Sequence, residues 1–104
     1  MTEINKKIEE QLASDRIILY MKGEPNMPMC GFSAKVVDIL QQYDVTFKSY
    51  NILVDDQLRQ GLKIFSQWPT FPQLYIDGEL IGGCDFIVEL HDREELESIL
   101  GQSS

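Results

Sequence analysis

Basic residues are scarce in this chain of 104 residues. Nine Lys and Arg stand against 17 Asp and Glu, which gives a formal net charge of −8. A protein that binds nucleic acid or an anionic membrane surface needs a basic face. The composition therefore argues against both classes, and we expect partners that include no nucleic acid and no membrane.

Long apolar runs and export signals are also lacking. No run approaches the roughly 20 residues of a membrane-spanning helix. The first 15 residues are polar and have neither the apolar core nor the small-residue cleavage site of a signal peptide. We therefore predict a cytoplasmic protein, formed as a single domain over residues 1–104 because the length is typical of one domain.

Cysteine is limited to Cys30 and Cys84. Disulfides are rare in reducing compartments, where thiols more often react or bind metals. We therefore expect the two thiols to be free for chemistry and not to form a structural crosslink.

Apolar periodicity predicts the element order α-β-α-β-α-β-β-α-α. Helices are expected within residues 1–15, 31–43, 55–68 and 85–92, and strands over 16–21 and 45–52. Residues 73–83 predict a hairpin around Asp77-Gly78, a pair that a type I′ turn prefers. Asp92 and Glu95 are expected to cap a last helix that Gly101 ends.

This order predicts an α/β fold. A β-α-β unit places two strands in parallel, and the later hairpin adds two antiparallel strands. The expected architecture is a four-stranded mixed sheet with helices on both faces.

The segment "MPMCGFS" over residues 27–33 carries the candidate chemistry. Cys30 follows a loop and begins a helix, whose free N–H groups stabilise a thiolate. Lys22 could add a nearby positive charge. The alternative is that Cys30 is a small buried apolar residue, but Pro28 and Gly31 on either side indicate a loop.

Position 33 holds serine where a Cys-x-x-Cys redox site has its second thiol. Two uses remain for the Cys30 thiolate, which are exchange with an external thiol and binding of a metal. Cys84 could resolve a mixed disulfide, although the sequence does not give its distance from Cys30.

Three motifs in order resemble the monothiol glutaredoxins of the CGFS class. They are "CGFS" at 30–33, "WPTFP" at 68–72 and "GGCD" at 82–85. The resemblance covers essentially the whole chain and is closest to the short single-domain bacterial type. It implies a thioredoxin-like (glutaredoxin) fold and a binding site for glutathione.

The resemblance also implies the residues of the glutathione site. Lys22 and Arg59 would pair with the glycine carboxylate, although a solvated surface charge is the ordinary role of either. Asp85 would bind the γ-glutamyl ammonium, or it could simply cap the following helix. The remaining implied contacts come from Thr70, Phe71 and Pro72 and from Gly83 and Cys84. The resemblance implies that the Phe71–Pro72 peptide bond is cis, and the alternative is an ordinary trans proline. Phe71 stands where many members have a β-branched residue.

The resemblance further implies a 2Fe–2S cluster shared by two subunits. Cys30 would be its only protein ligand, acting as metal ligand and catalytic thiol, and two glutathiones would supply the other thiolates. The implied function is a cluster carrier in iron–sulfur biogenesis, with a homodimer, BolA-type proteins and apo iron–sulfur client proteins as partners. The alternative is a glutathione-dependent thiol–disulfide oxidoreductase, an activity that the class has weakly. A redox-silent binding module is a third possibility, which the complete set of motifs disfavours.

Overall fold

The fold alternates helices and strands. The structure, a computed structural model, describes residues 3–101, so residues 1, 2 and 102–104 of the predicted domain lie outside the described part. The helices are α1 at Glu3–Ala13, α2 at Gly31–Leu40, α3 at Asp56–Ser66, α4 at Cys84–Asp92 and α5 at Leu96–Leu100. The strands are β1 at Ile17–Met21, β2 at Gly23–Glu24, β3 at Met27–Pro28, β4 at Lys48–Asn51, β5 at Gln73–Ile76 and β6 at Glu79–Gly82.

Four of these strands form one mixed sheet in the order β4-β1-β5-β6. Strand β1 runs parallel to β4 and antiparallel to β5, and β5 and β6 form a hairpin. At the tip of the hairpin, Asp77 has φ 52° and Gly78 has φ 82°. Two positive φ values are what a type I′ turn requires, so the predicted mixed sheet and its turn are confirmed.

Strand β1 is the centre of two apolar cores, because all five of its residues are buried. Ile17, Leu19 and Met21 pack on the sheet face covered by α2, α4 and α5. Ile18 and Tyr20 point to the opposite face, which α1 and α3 cover. Alternate residues of a strand face opposite sides of a sheet, so the predicted helix layers on both faces are confirmed. Of the helices within residues 3–101, none is long and apolar enough to cross a membrane.

Several predicted element boundaries are wrong. The loop predicted before Cys30 contains the short hairpin β2-β3. Helix α2 ends at Leu40 and not at Tyr43. Strand β4 begins at Lys48 and not at residue 45. Val45 and Phe47 instead pack at the margin of a core, so their apolar character reflects side-chain burial and not strand pairing.

The cap predicted for the last helix is also wrong. Asp92 belongs to α4, whose helical bonding continues to the Arg93 N–H, 3.0 Å from the Glu89 carbonyl oxygen. Glu95 is the residue before α5, and its side chain makes no capping hydrogen bond. Gly101, with φ 69°, ends α5 as predicted.

The predicted start of α3 is confirmed at Asp55. Its Oδ1 accepts the Leu58 N–H at 3.1 Å, and its Oδ2 accepts a hydrogen bond from Lys7 Nζ at 2.6 Å. The hydrogen bond from Lys7, followed by that from the Leu58 N–H, lowers the pKa of the Asp55 carboxyl.

Replacement of Asp55 by alanine is expected to reduce the free energy of unfolding by about 1 kcal/mol at neutral pH. Because the folded-state pKa is lowered, this stabilisation is present above the ordinary carboxyl pKa of about 4 and is lost as the pH falls through the folded value. Urea unfolding of wild type and Asp55→Ala at neutral and acid pH measures the difference. Asp44→Ala, at an exposed position, is the control, and an equal loss in the control would contradict the capping role.

Candidate functional site

Cys30 is the residue that precedes α2, and it is partly exposed. Its backbone is extended, and its carbonyl oxygen accepts the Ala34 N–H at 2.9 Å. The backbone N–H of Ser33 lowers the pKa of the Cys30 thiol against the opposing effect of burial, and the N–H of Phe32 and the charge of Lys22 act in the same direction. The first turn of α2 and Lys22 therefore favour the thiolate form of Cys30, although the Cys30 side chain makes no capping hydrogen bond.

Ser33 has a structural role that the sequence did not show. Its side chain is 0% exposed, and its Oγ accepts the Lys22 N–H at 3.1 Å. The Lys22 carbonyl oxygen accepts the Met29 N–H at 2.8 Å, and Asn51 Oδ1 accepts the Gly23 N–H at 3.0 Å. The backbone of Lys22 is thus fixed beside the segment that carries Cys30.

An open cleft of about 200 Å³ lies next to Phe32. The structure brings six of the predicted glutathione-site residues to its wall: Thr70, Phe71, Pro72, Gly83, Cys84 and Asp85. Phe32, Trp68 and Phe86 complete the lining. Cys30, Lys22 and Arg59 are not lining residues, so the cleft contains one part of the predicted site and Cys30 lies two residues from its edge.

Phe71 combines a cleft position with a buried side chain. The Phe71–Pro72 peptide bond is cis, as the resemblance implies. The phenyl ring is 6% exposed and belongs to the core that contains Leu58, Leu62 and Tyr75. The departure from a β-branched residue is therefore accommodated by the core.

Gly82 and Gly83 come directly before α4, and Gly83 allows close approach to the segment that contains Trp68 and Pro72. A Cβ at Gly83 would lie 3.3 Å from the Pro72 carbonyl oxygen and 3.4 Å from Trp68 Nε1. Gly82 has φ 152°, which a larger residue rarely adopts. Gly83 is the cap residue of α4, so the suggested capping role for Asp85 is wrong, and Asp85 lies in the first turn together with Cys84.

The two cysteines, both free, differ in their electrostatic surroundings. Burial raises the pKa of Cys84, and the neighbouring Asp85 carboxylate raises it further. The pKa of Cys30 is shifted in the opposite direction. Only a thiolate is strongly nucleophilic, so the two thiols should react at different rates.

Alkylation at neutral pH is expected to modify Cys30 faster than Cys84, because a larger fraction of Cys30 is ionised. Iodoacetamide labelling followed by peptide mass spectrometry gives both rates, and their pH profiles should have a lower midpoint for Cys30. Lys22→Met should shift the Cys30 profile to higher pH, whereas Lys63→Met on α3 serves as the control. Equal rates and midpoints for both cysteines would contradict this account.

Arg59 presents an unpaired polar atom in α3. The Nε of Arg59 is buried and has no hydrogen-bond partner within residues 3–101, and no other buried side-chain nitrogen or oxygen in that range lacks one. Such an atom is costly to bury, and a carboxylate is the natural partner of a guanidinium fork. This observation fits the carboxylate-binding role that the resemblance implies for Arg59.

Sequence reasoning missed four residues around the cleft. Trp68, Phe32 and Phe86 line it with exposed aromatic surface, and the Trp68 side chain is 41% exposed. Gln73 lies behind the cleft and is 0% exposed. Trp68 and Phe32 stand inside the recognised motifs and could have been selected on that ground, whereas neither Gln73 nor Phe86 carries a local signal of this kind.

The fold and the site define the thioredoxin-like class, with a cysteine at the start of α2, the helix that connects β1 and β4 of the main sheet. The glutaredoxin family model matches residues 17–81. "Probable monothiol glutaredoxin 2" of Rickettsia felis is 52% identical over 93 residues, which cover 89% of each chain. The solution structure of reduced poplar apo GrxS14 is 47% identical with a TM-score of 0.83, covering 94% of this chain and 90% of that one.

A larger plant relative contains the same unit. "Monothiol glutaredoxin-S11" of Oryza sativa is 51% identical over 96 residues, which are 92% of this chain and 20% of the rice protein. The chain therefore spans about a fifth of the length of that relative. From these matches, the chain belongs to the glutaredoxin family and, within it, to the monothiol glutaredoxins.

Proposed function

We propose that this chain binds glutathione along the cleft and carries a 2Fe–2S cluster between two copies of itself, for transfer in iron–sulfur cluster biogenesis. One observation carries the proposal. A cysteine with a lowered pKa lies partly exposed beside the cleft, and the position that could hold a second thiol is a buried serine.

The chemistry of glutathione fits the groups around the cleft. Its two carboxylates need separate cationic or N–H-rich sites. Arg59, with its unpaired Nε, and Lys22 would take the glycine carboxylate. The N–H groups of Cys84 and Asp85 in the first turn of α4 would take the γ-glutamyl carboxylate, because helix N-termini favour anions.

The neutral and cationic parts of glutathione would meet the remaining residues. The Asp85 carboxylate, exposed at the cleft, would pair with the γ-glutamyl ammonium. The backbone of Phe71 between Thr70 and Pro72 would pair with the peptide groups of glutathione, as an added strand does. The glutathione thiol would then point toward Cys30.

The cluster requires ligands from more than one chain. A 2Fe–2S cluster is held by four thiolates or equivalent ligands. No group of three or more His, Cys, Asp or Glu residues in the described part of the chain could hold a metal ion. Cys30 from each of two chains and one glutathione thiolate on each would complete the set, so the cluster-bound protein is a homodimer in this proposal.

Transfer of the cluster requires a surface that other proteins can reach. Met27, Met29 and Phe32 are exposed around Cys30 and offer an apolar rim. We propose BolA-type proteins and apo iron–sulfur client proteins as the partners that meet this rim, and the cytoplasm as the compartment. Exposed methionine side chains adapt to more than one partner surface.

Anaerobic reconstitution with iron, sulfide and glutathione tests the proposal. Size-exclusion chromatography with visible absorbance should show a coloured dimer when glutathione is present and a colourless monomer when it is absent. If the protein stays colourless and monomeric with and without glutathione, the proposed carrier function is wrong.

A second candidate is supported by the lowered pKa of Cys30. The Cys30 thiolate would attack the glutathione sulfur of a glutathionylated protein, forming a mixed disulfide and releasing the protein thiolate. The thiolate of a second glutathione would then attack that disulfide, releasing oxidised glutathione and restoring Cys30. Rapid deglutathionylation by a protein that never forms the coloured dimer would favour this enzyme function over the carrier.

A further inference from the structure

We propose that Gln73 is a positioning residue of the glutathione site, which holds residues 68–72 in the shape that lines the cleft. This inference rests on the proposed function, because it assigns a role in binding the same ligand. Gln73 itself is not a lining residue and would act through the segment that it holds.

Gln73 is a completely buried polar residue at the start of β5. Its Nε2 donates to the Trp68 carbonyl oxygen at 3.0 Å and lies 3.3 Å from the Thr70 carbonyl oxygen. The same nitrogen lies 3.2 Å from Ser66 Oγ. The backbone carbonyl oxygens of Trp68 and Thr70 can only accept hydrogen bonds, so the side-chain atom that faces them is the amide nitrogen of Gln73.

The other end of the Gln73 side chain connects to the core. Its Oε1 accepts the Tyr75 O–H at 3.0 Å. Tyr75 belongs to the core under α1 and α3, and burial raises the pKa of Tyr75 to about 12, which keeps the hydroxyl protonated as a donor. Gln73 therefore links a cleft wall to a packed core.

The segment that Gln73 holds is not stabilised by the hydrogen bonds of a helix or a sheet. Residues 67–72 belong to no helix or strand. Gln67 lies in the left-handed region with φ 54°, and Ser66 Oγ accepts the Trp68 N–H at 3.0 Å. Without the Gln73 amide, the Thr70 carbonyl oxygen would lose this donor, and the Trp68 carbonyl oxygen would keep only the longer contact to Ser66 Oγ at 3.3 Å. We therefore expect residues 68–72 to rearrange when the amide donor is removed.

Gln73→Glu is the sharpest test, because it keeps the size of the side chain and an acceptor for Tyr75 but removes the N–H donors. When ionised, its carboxylate also places a negative charge against the Trp68 and Thr70 carbonyl oxygens. We expect glutathione affinity to fall at least about tenfold, the effect of losing roughly one hydrogen bond. The pKa of Cys30 should remain that of wild type, because α2 and Lys22 are untouched. Trp68, the one tryptophan of the chain, should show a changed fluorescence emission even without glutathione.

The control is Gln42→Glu, the same chemical change at an exposed position, which should leave affinity and emission unchanged. If Gln73→Glu does not fold, Gln73→Met replaces it, because it removes the amide donors without adding a charge and leaves the Ser66 hydroxyl on the Trp68 N–H; the expected loss is again about tenfold. All affinities are measured well below the temperature at which the variants unfold. If Gln73 only stabilised the fold, its replacement would lower the melting temperature but leave the affinity for glutathione unchanged.

Wild-type affinity and emission in a folded Gln73→Glu, or in Gln73→Met if that variant does not fold, would overturn the positioning role. If wild type itself does not bind glutathione, the proposed function is wrong. The emission of the unliganded variants then decides separately whether Gln73 holds the segment.

Discussion

Replacement of Cys30 by serine is expected to abolish both the mixed disulfide with glutathione and the coloured dimer. A hydroxyl does not ionise in the range where the Cys30 thiol does, so it provides neither the nucleophile nor the metal ligand. The fold should persist, because Cys30 occupies a helix cap position and serine is a preferred cap residue. We expect the free energy of unfolding to stay within about 1 kcal/mol of wild type or to rise.

Mass spectrometry after exposure to oxidised glutathione, and absorbance after reconstitution, measure the two losses. Cys84→Ser is the matched control, and it should retain the mixed disulfide and the colour, because the pKa of Cys84 is raised and Cys84 is not a proposed ligand. If Cys30→Ser retained a cluster as wild type does, the assignment of Cys30 as the protein ligand would be wrong.

Replacement of Arg59 by alanine is expected to weaken glutathione binding about ten- to hundredfold. The estimate follows from the roughly 1.5–3 kcal/mol of a hydrogen bond to a charged group. The Nε of Arg59 is buried and has no hydrogen-bond partner among the described residues, so a ligand carboxylate would give it one. Arg59→Lys should recover only part of the affinity, because an ammonium lacks the planar fork of the guanidinium.

Isothermal titration with reduced glutathione gives these affinities. Arg93→Ala is the matched control, since Arg93 is exposed and pairs loosely with Glu89 at 3.9 Å and with Glu95 at 4.0 Å. Wild-type affinity in Arg59→Ala would show that the unpaired Nε has no part in binding glutathione.

The sheet and its layers could be predicted because their signals are local. The apolar run of β1 and the Asp77-Gly78 turn each carry their structure within a few residues. The start of β4 and the cap of α5 could not be predicted in the same way. Val45 is apolar because it packs on a core, and Asp92 continues α4, so both outcomes depend on tertiary contacts.

The site was predictable only where motifs mark it. The motifs identified six residues that the structure places around one cleft. They gave no account of Ser33 beyond the absence of a thiol, yet its buried hydroxyl accepts the Lys22 N–H. Gln73 was missed altogether, because its hydrogen bonds join segments whose proximity exists only in the folded chain.

Native mass spectrometry of the anaerobically reconstituted protein tests the central claim most directly. The account predicts a species of two chains, one 2Fe–2S cluster and two glutathiones, because four thiolates are needed and each chain supplies one. This species should be lost when glutathione is removed or when Cys30 is replaced. A cluster held by a single chain, or by two chains without glutathione, would contradict the account.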